Sequence, residues 1–209
     1  MATLLLMNPN SNAATTDAMV AIARTVLPGV TGWTAPEGPL MIVTEDALSR
    51  AEELVGNAEL PEVGGVIVSA FGDPGRAALA ARLSCPVVGI GQAAAFEAAE
   101  GGRSVAVVTT TPGLKDSIDA MMRGHIGAAY MGCLLTHGEP EALMRDPAVL
   151  DDALTEAIVR AAGQGAQSII IGGGPLGEAA DRLAPLSPVP LIAPIRAAAR
   201  RLKAELARA

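Results

Sequence analysis

Apolar residues fall along this chain in two kinds of run. Short and almost uninterrupted ones occur at 3–8, 39–43, 65–69 and 86–90, then at 104–109, 128–136, 168–172 and 188–193. Their length and β-branched content predict buried strands. Between them, apolar residues recur three and four apart: Met19, Ile22, Val26; Leu48, Ala51, Leu54, Val55; Leu79, Leu83; and, over 148–162, Leu150, Leu154, Ala157, Ile158 and Ala161. That spacing puts one apolar stripe on each of several helices. Fully apolar strands alternating with amphipathic helices predict an α/β protein with parallel sheets covered on both faces.

The pattern occurs twice. LLLMNPNSN (4–12) corresponds to VAVVTTTPG (105–113), VIVSAFGDPGRAALAARL (66–83) to IIIGGGPLGEAADRL (169–183), and CPVVGIGQAAA (85–95) to VPLIAPIRAAA (189–199). One duplicated unit of roughly 102 residues accounts for all three correspondences. The expectation is two pseudo-symmetric α/β lobes, 1–95 and 96–187, with a binding cleft between them. The remaining strand and helix, 188–209, are expected to pack back on the first lobe.

Parallel α/β sheets bind ligands at the carboxyl ends of their strands. Four polar turns stand there: Asn8-Pro9-Asn10-Ser11, Ser69-Ala70-Phe71-Gly72, Thr109-Thr110-Thr111 and Gly172-Gly173-Gly174. Each leads toward a helix, where free N–H groups favour an anion or a carbonyl oxygen. Pro74, Pro112 and Pro175 fit the first helical position. Asn10, Ser11, Ser69, Ala70, Phe71, Thr109, Thr110, Thr111, Gly173 and Gly174 are therefore the candidate binding residues. The ligand group is a small carboxylate or a carbonyl oxygen, held by backbone amides and short polar side chains.

Charge and composition narrow the alternatives. A net charge of −7 with four aromatic residues argues against nucleic-acid binding, which wants a basic face and stacking rings. Arg196, Arg200, Arg201 and Lys203 alternate with apolar residues at helical spacing and read as a solvated helix face. No apolar run is long enough to span a membrane, and MATLLLMNPNSN reads as a first strand, not a signal peptide. Cys85 and Cys133 sit in apolar stretches, as reduced thiols of a cytoplasmic protein do. No His, Cys, Asp and Glu set has metal-site spacing. Gly172–Gly177 satisfies the dinucleotide G-x-G-x-x-G pattern, but Ile192, Ala193 and Pro194 stand where the ribose-binding acid belongs. No cofactor is expected.

NPNSN, AFGDPG, VVGIGQA, VVTT and IIIGGG together resemble the aspartate/glutamate/hydantoin racemase superfamily, most closely its hydantoin and allantoin racemase branch. The resemblance spans nearly the whole chain. It implies two pseudo-symmetric lobes with substrate between them, and assembly into homo-oligomers. It also implies a cysteine at the tip of the third strand of each half, one removing the proton α to a carbonyl and the other returning it on the opposite face. Those tips are Ala70 and Gly173 here. Decarboxylases of the superfamily keep the second tip cysteine, which Gly173 also lacks. Gln92 stands where the family usually has Glu.

With both thiols absent, other groups become candidates. Asp73, beside the first tip, could act as general base, although Asp before Pro-Gly is equally turn and capping chemistry. His137, following the second strand of the second half, titrates near neutrality and could swing into the cleft. Glu139 is a weaker candidate of the same kind. Three functions stay open: an isomerase-type enzyme that, as the resemblance implies, acts on a small carboxylate or hydantoin-like cyclic amide by carbonyl polarisation with non-cysteine chemistry; a hydrolase or lyase on the same kind of substrate; and a non-catalytic small-acid-binding protein.

Overall fold

Two four-stranded, wholly parallel sheets organise residues 3–208, the part of the chain that the computed structural model describes. The first contains β1 (Thr3–Asn8), β2 (Val30–Thr34), β3 (Val63–Val68) and β4 (Val87–Gly89), in the order β2-β1-β3-β4. The second contains β5 (Val105–Thr109), β6 (Tyr130–Leu135), β7 (Ser168–Ile171) and β8 (Leu191–Ile192), in the order β6-β5-β7-β8. The duplication read in the sequence is thus a duplication of topology. The central strands β1, β3, β5 and β7 are buried over most of their length, as sheets covered on both faces require.

The helices are α1 (Ala13–Arg24), α2 (Glu45–Gly56), α3 (Arg76–Arg82), α4 (Ile90–Ala98), α5 (Lys115–Ile126), α6 (Pro140–Leu143), α7 (Pro147–Gly163), α8 (Gly177–Leu183) and α9 (Pro194–Leu206). Local chemistry starts several of them. The Asn12 side chain accepts from the Thr15 N–H to cap α1, Thr44 caps α2 through the Ala47 N–H, and Asp146 caps α7 just before Pro147.

The last helix of each half lies against the other half. α4 follows β4 but packs on α5, β7 and β8; α9 follows β8 but packs on α1, β3 and β4. At Gly65 of β3 a side chain would overlap Leu202 of α9, so the helix approaches that strand closely. One apolar cluster therefore runs through both lobes, from Leu6, Met19, Ile67 and Phe71 to Val107, Ile118, Met122 and Ile170. The relation of the lobes is consequently set by core packing.

One strand differs from expectation. The apolar run 39–43 is not a strand; β2 is Val30–Thr34, pairing with β1 from Leu4–Val30 to Asn8–Thr34. As an edge strand, β2 has an exposed Thr31 and Gly32 and lacks the continuous apolar signature. The 39–43 run is apolar for another reason: Leu40, Met41 and Ile42 wall a cavity. A 3-10 turn, Gly127–Ala129, also replaces the first residues expected of β6.

Candidate functional site

The carboxyl ends of β1, β3, β5 and β7 converge on a cavity of about 290 Å3 between the lobes. Lobe one contributes Asn10, Asn12, Thr15 and Met19, the 40–42 segment, and Ser69, Ala70 and Phe71. Lobe two contributes Thr110, Thr111, Leu114, Ile118, Met144 and the 172–176 turn. A larger open groove of about 1150 Å3 runs between β2 and α2, edged by Glu37, Asp46, Arg50, Glu53 and Glu59. It receives strand-end residues from one lobe alone, so the smaller cavity is the candidate site.

Hydrogen bonds hold the four tips in place. Buried Asn8 donates to Asn10 Oδ1 (2.8 Å) and Thr16 Oγ1 (2.9 Å), and its own Oδ1 accepts from the Asn10 N–H (3.2 Å). Asn10 Oδ1 also accepts from the Asn12 N–H (3.0 Å), so the turn closes on itself and the Asn10 NH2 is left for the cavity. Ser69 Oγ donates to the Met7 carbonyl (2.8 Å), tying the β3 tip to β1. In lobe two Thr109 Oγ1 donates to the Gly172 carbonyl (2.7 Å), tying β5 to the β7 tip, and Thr111 Oγ1 lies 3.0 Å from Thr109 Oγ1. The same brace recurs with donor and acceptor strands exchanged.

The residues lining the cavity include a set of unspent donors. Among the described residues, the N–H groups of Ala70, Phe71, Thr110 and Gly173 have no hydrogen-bond partner, and neither has the Thr110 hydroxyl. Backbone donors of this kind suit a carbonyl oxygen that gains negative charge. The rest of the lining is largely apolar, with Leu40, Met41, Ile42, Leu114, Ile118 and Met144. No lining residue is an Asp, Glu, His, Cys, Lys or Arg.

The expected binding residues divide accordingly. Asn10, Ser69, Ala70, Phe71, Thr110, Thr111, Gly173 and Gly174 line the cavity. Ser11 does not: its hydroxyl donates to the Gly38 carbonyl (2.8 Å) and its N–H to that of Pro39 (3.1 Å), anchoring the 38–42 segment. Thr109 serves as the brace described above. The α-helices after the third strands begin at Arg76 and Gly177, past intervening turns, so the free donors belong to the turns. Asn12 and Thr15 are additional polar lining residues. Their signal was available, since α1 starts directly at the first tip.

The two candidate acid/base residues lie elsewhere. His137 is exposed in the loop between β6 and α6, with Glu139 beside it, and neither lines the cavity. Asp73 turns away from the cavity toward α4: Oδ1 accepts from the Gly91 N–H and Oδ2 from the Gln92 N–H, each at 2.7 Å. Burial pushes its pKa up to about 6, against the opposing pull of these two N–H groups and of Arg76. Neither cysteine reaches the site. Burial raises the Cys133 thiol to about 12 and also raises that of Cys85, so both favour the unreactive thiol form.

The tips bear on each other directly. A side chain at Gly174 would overlap the Ser69 carbonyl, and one at Gly172 would touch the Phe71 ring. At Gly173 a Cβ would stand 2.9 Å from Leu176 Cδ1, so Leu176 occupies part of the space beside the second tip. Ala70 faces open cavity.

Comparison with known proteins agrees with the two-lobed fold. The family model described as Asp/Glu/Hydantoin racemase matches residues 4–202. A hydantoin racemase of Paenarthrobacter aurescens is 26% identical over 213 residues, covering 94% of this chain and 88% of that protein. The allantoin racemase structure from Klebsiella pneumoniae superposes with a TM-score of 0.88 at 24% identity, covering 100% of this chain and 89% of that one. That of Pseudomonas fluorescens gives 0.87 at 24% identity, covering 99% and 91%. No helix among the described residues is long and apolar enough to cross a membrane.

Proposed function

Because the chain belongs to the Asp/Glu/hydantoin racemase family, we propose that the inter-lobe cavity binds a small cyclic amide of the hydantoin type and polarises one of its carbonyls. The observation that carries this reading is a lining with free N–H and short polar donors and no ionisable side chain. A carboxylate entering such a site gains N–H bonds but no counter-charge, and it sheds its water. A neutral ring amide meets the same donors at lower desolvation cost, and about 290 Å3 suits a ligand of that size. The names of the relatives, hydantoin and allantoin racemase, support the same ligand class.

The reaction is of isomerase type. Hydrogen bonds from the tip N–H groups acidify the carbon beside the bound carbonyl. Water in the space beside Ala70 accepts the α-proton, becoming hydronium, and the electron pair moves onto the carbonyl oxygen. Return of a proton from water to either face regenerates the amide. Without a side-chain base this exchange is slow, since a positioned base is worth about 10²–10⁴-fold. A hydrolase or lyase needs a group to activate water at the cavity, and Asp73, His137 and Glu139 are not there. The uncharged lining does favour a second reading, capture of the ligand without turnover.

NMR in D2O tests this. The protein is incubated with hydantoins carrying a C5 substituent, allantoin, arylmalonates and α-amino acids. Loss of an α-proton signal from a cyclic amide, accelerated by Ala70→Cys combined with Gly173→Cys and Leu176→Ala, is the expected result. Line broadening of a cyclic amide without exchange selects the binding reading. Broadening or exchange confined to the carboxylates refutes the ligand class.

A further inference from the structure

Asp73 is the one non-glycine residue with positive φ among the described residues, at φ 52. That conformation is unfavourable for a side-chain-bearing residue and persists where surroundings hold it. The surroundings here are specific. The Asp73 N–H donates to the Ala70 carbonyl (3.0 Å), closing the turn that presents the Ala70 and Phe71 N–H groups to the cavity. Its carboxylate takes two N–H groups of the first turn of α4, at Gly91 and Gln92. Gly89 and Gly91 leave room for it: a Cβ at Gly89 would overlap the carboxyl, and one at Gly91 would stand 3.3 Å from Oδ1.

α4 is the helix that passes from the first lobe onto the second, and the Phe71 ring lies beside the β7 tip, where a Cβ at Gly172 would stand 3.5 Å from it. Asp73 thus joins three parts of the cavity frame: the first tip turn by its backbone, the exchanged helix by its side chain and, through Phe71, the second tip. We propose that Asp73 is a positioning residue whose ionised carboxylate locks the first tip turn to α4, and that its protonation releases this lock and lowers the ligand affinity of the cavity. The part concerning affinity rests on the reading of the cavity as the ligand site; the lock itself does not.

The lock needs two acceptors. An ionised carboxylate offers one oxygen to each N–H; the neutral acid gives one of those oxygens a proton and weakens its acceptance. The groups around Asp73 are few. Arg76, on its own turn, favours the ionised form. α4 presents backbone N–H groups. α5 presents Met121, whose thioether packs beside Gly91, and carries His125 one turn further along. His125 has its own basicity lowered by burial and by Arg76. The switch is therefore a single carboxyl near pH 6.

Amide NMR of the unliganded protein between pH 4.5 and 8 tests the lock without any ligand. The expected result is one shared midpoint near 6 for the Gly91 and Gln92 signals and for those of Ala70 and Phe71. Asp73→Asn should hold all four at the acid-limit positions and flatten the titration. Arg76→Ala, an alternative that keeps the carboxyl, should move the shared midpoint upward. Titration at Gly91 and Gln92 with Ala70 and Phe71 unmoved reduces Asp73 to a helix cap and overturns the proposal, as does the absence of any titration. Line broadening of hydantoin across the same pH range then tests the affinity step. A shared midpoint with no hydantoin broadening at any pH keeps the lock and removes the ligand assignment.

Discussion

Adding one methyl group at Gly174 tests the contact on which the site depends. Gly174 lies in the second tip turn, and a Cβ built there stands 2.8 Å from the Ser69 carbonyl oxygen and 2.6 Å from Met19 Sδ. The sulfur ends a flexible side chain and can give way. The carbonyl cannot do so cheaply, because Ser69 is the end of a buried strand, with its N–H and hydroxyl both bonded to the Met7 carbonyl (2.9 and 2.8 Å). An ordinary contact is about 3.4–4 Å, so the two tips must part by at least half an ångström. Overpacking of this kind costs about 1–3 kcal/mol. In a chain of this length each kcal/mol lowers Tm by about 2–4 °C. Gly174→Ala should therefore melt roughly 2–12 °C below wild type. Gly124→Ala is the matched control: it makes the same chemical change in the last turn of α5, where nothing beyond the helix's own backbone lies within 4 Å of the added methyl. It should raise stability by up to about 1 kcal/mol. Thermal melts and urea titrations of the two variants decide the matter. A Gly174→Ala protein as stable as wild type would mean that the tips do not meet as described.

Three further outcomes follow from named groups. Asp73 titrates at about 6 in the fold against an ordinary 3.8, so folding takes up a proton between those values. Its contribution to stability is complete below about pH 3.8 and declines as pH rises through 6, by about 3 kcal/mol for a gap near two pH units; urea titrations of wild type and Asp73→Asn at pH 4 and 7.5 measure the difference. Asp119 should show the opposite sign: burial opposes its ionisation, but Lys115 (2.7 Å) and Tyr130 (2.6 Å) overcome it and hold its pKa below the ordinary value. Its stabilisation is present at neutral pH and lost in acid, so Asp119→Asn should weaken the fold at pH 7 and less so near pH 3, read by the same titrations. Thr110→Val removes a buried hydroxyl with no protein partner; stability should stay within about 0.5 kcal/mol, while calorimetry should show about 5–10-fold weaker hydantoin binding.

The chain's own pattern determined the α/β class, the twofold repeat and the ends of strands where the site lies. Fully apolar runs and helical stripes follow from how much of each element is buried, and that is a local, periodic property. The tips were legible for the same reason, because Asn10, Ser69, Thr110 and Gly173 interrupt apolar strands where they end. The 39–43 run showed the limit of this reasoning. A strand and a cavity wall both bury apolar side chains, and periodicity cannot distinguish them, so the edge strand at 30–34 passed unnoticed. Tertiary structure alone decided where side chains turn. Asp73 has the spacing of an active-site acid, yet its carboxylate goes to the α4 N-terminus, because those N–H groups need an acceptor and the glycines beside them leave space. His137 stays outside the cavity for want of any element to bring it in. The passage of α4 onto the second lobe was equally invisible, since a helix with an apolar stripe can cover either sheet. Direction and partnership arise from contacts between residues far apart in the chain, and no local pattern encodes them.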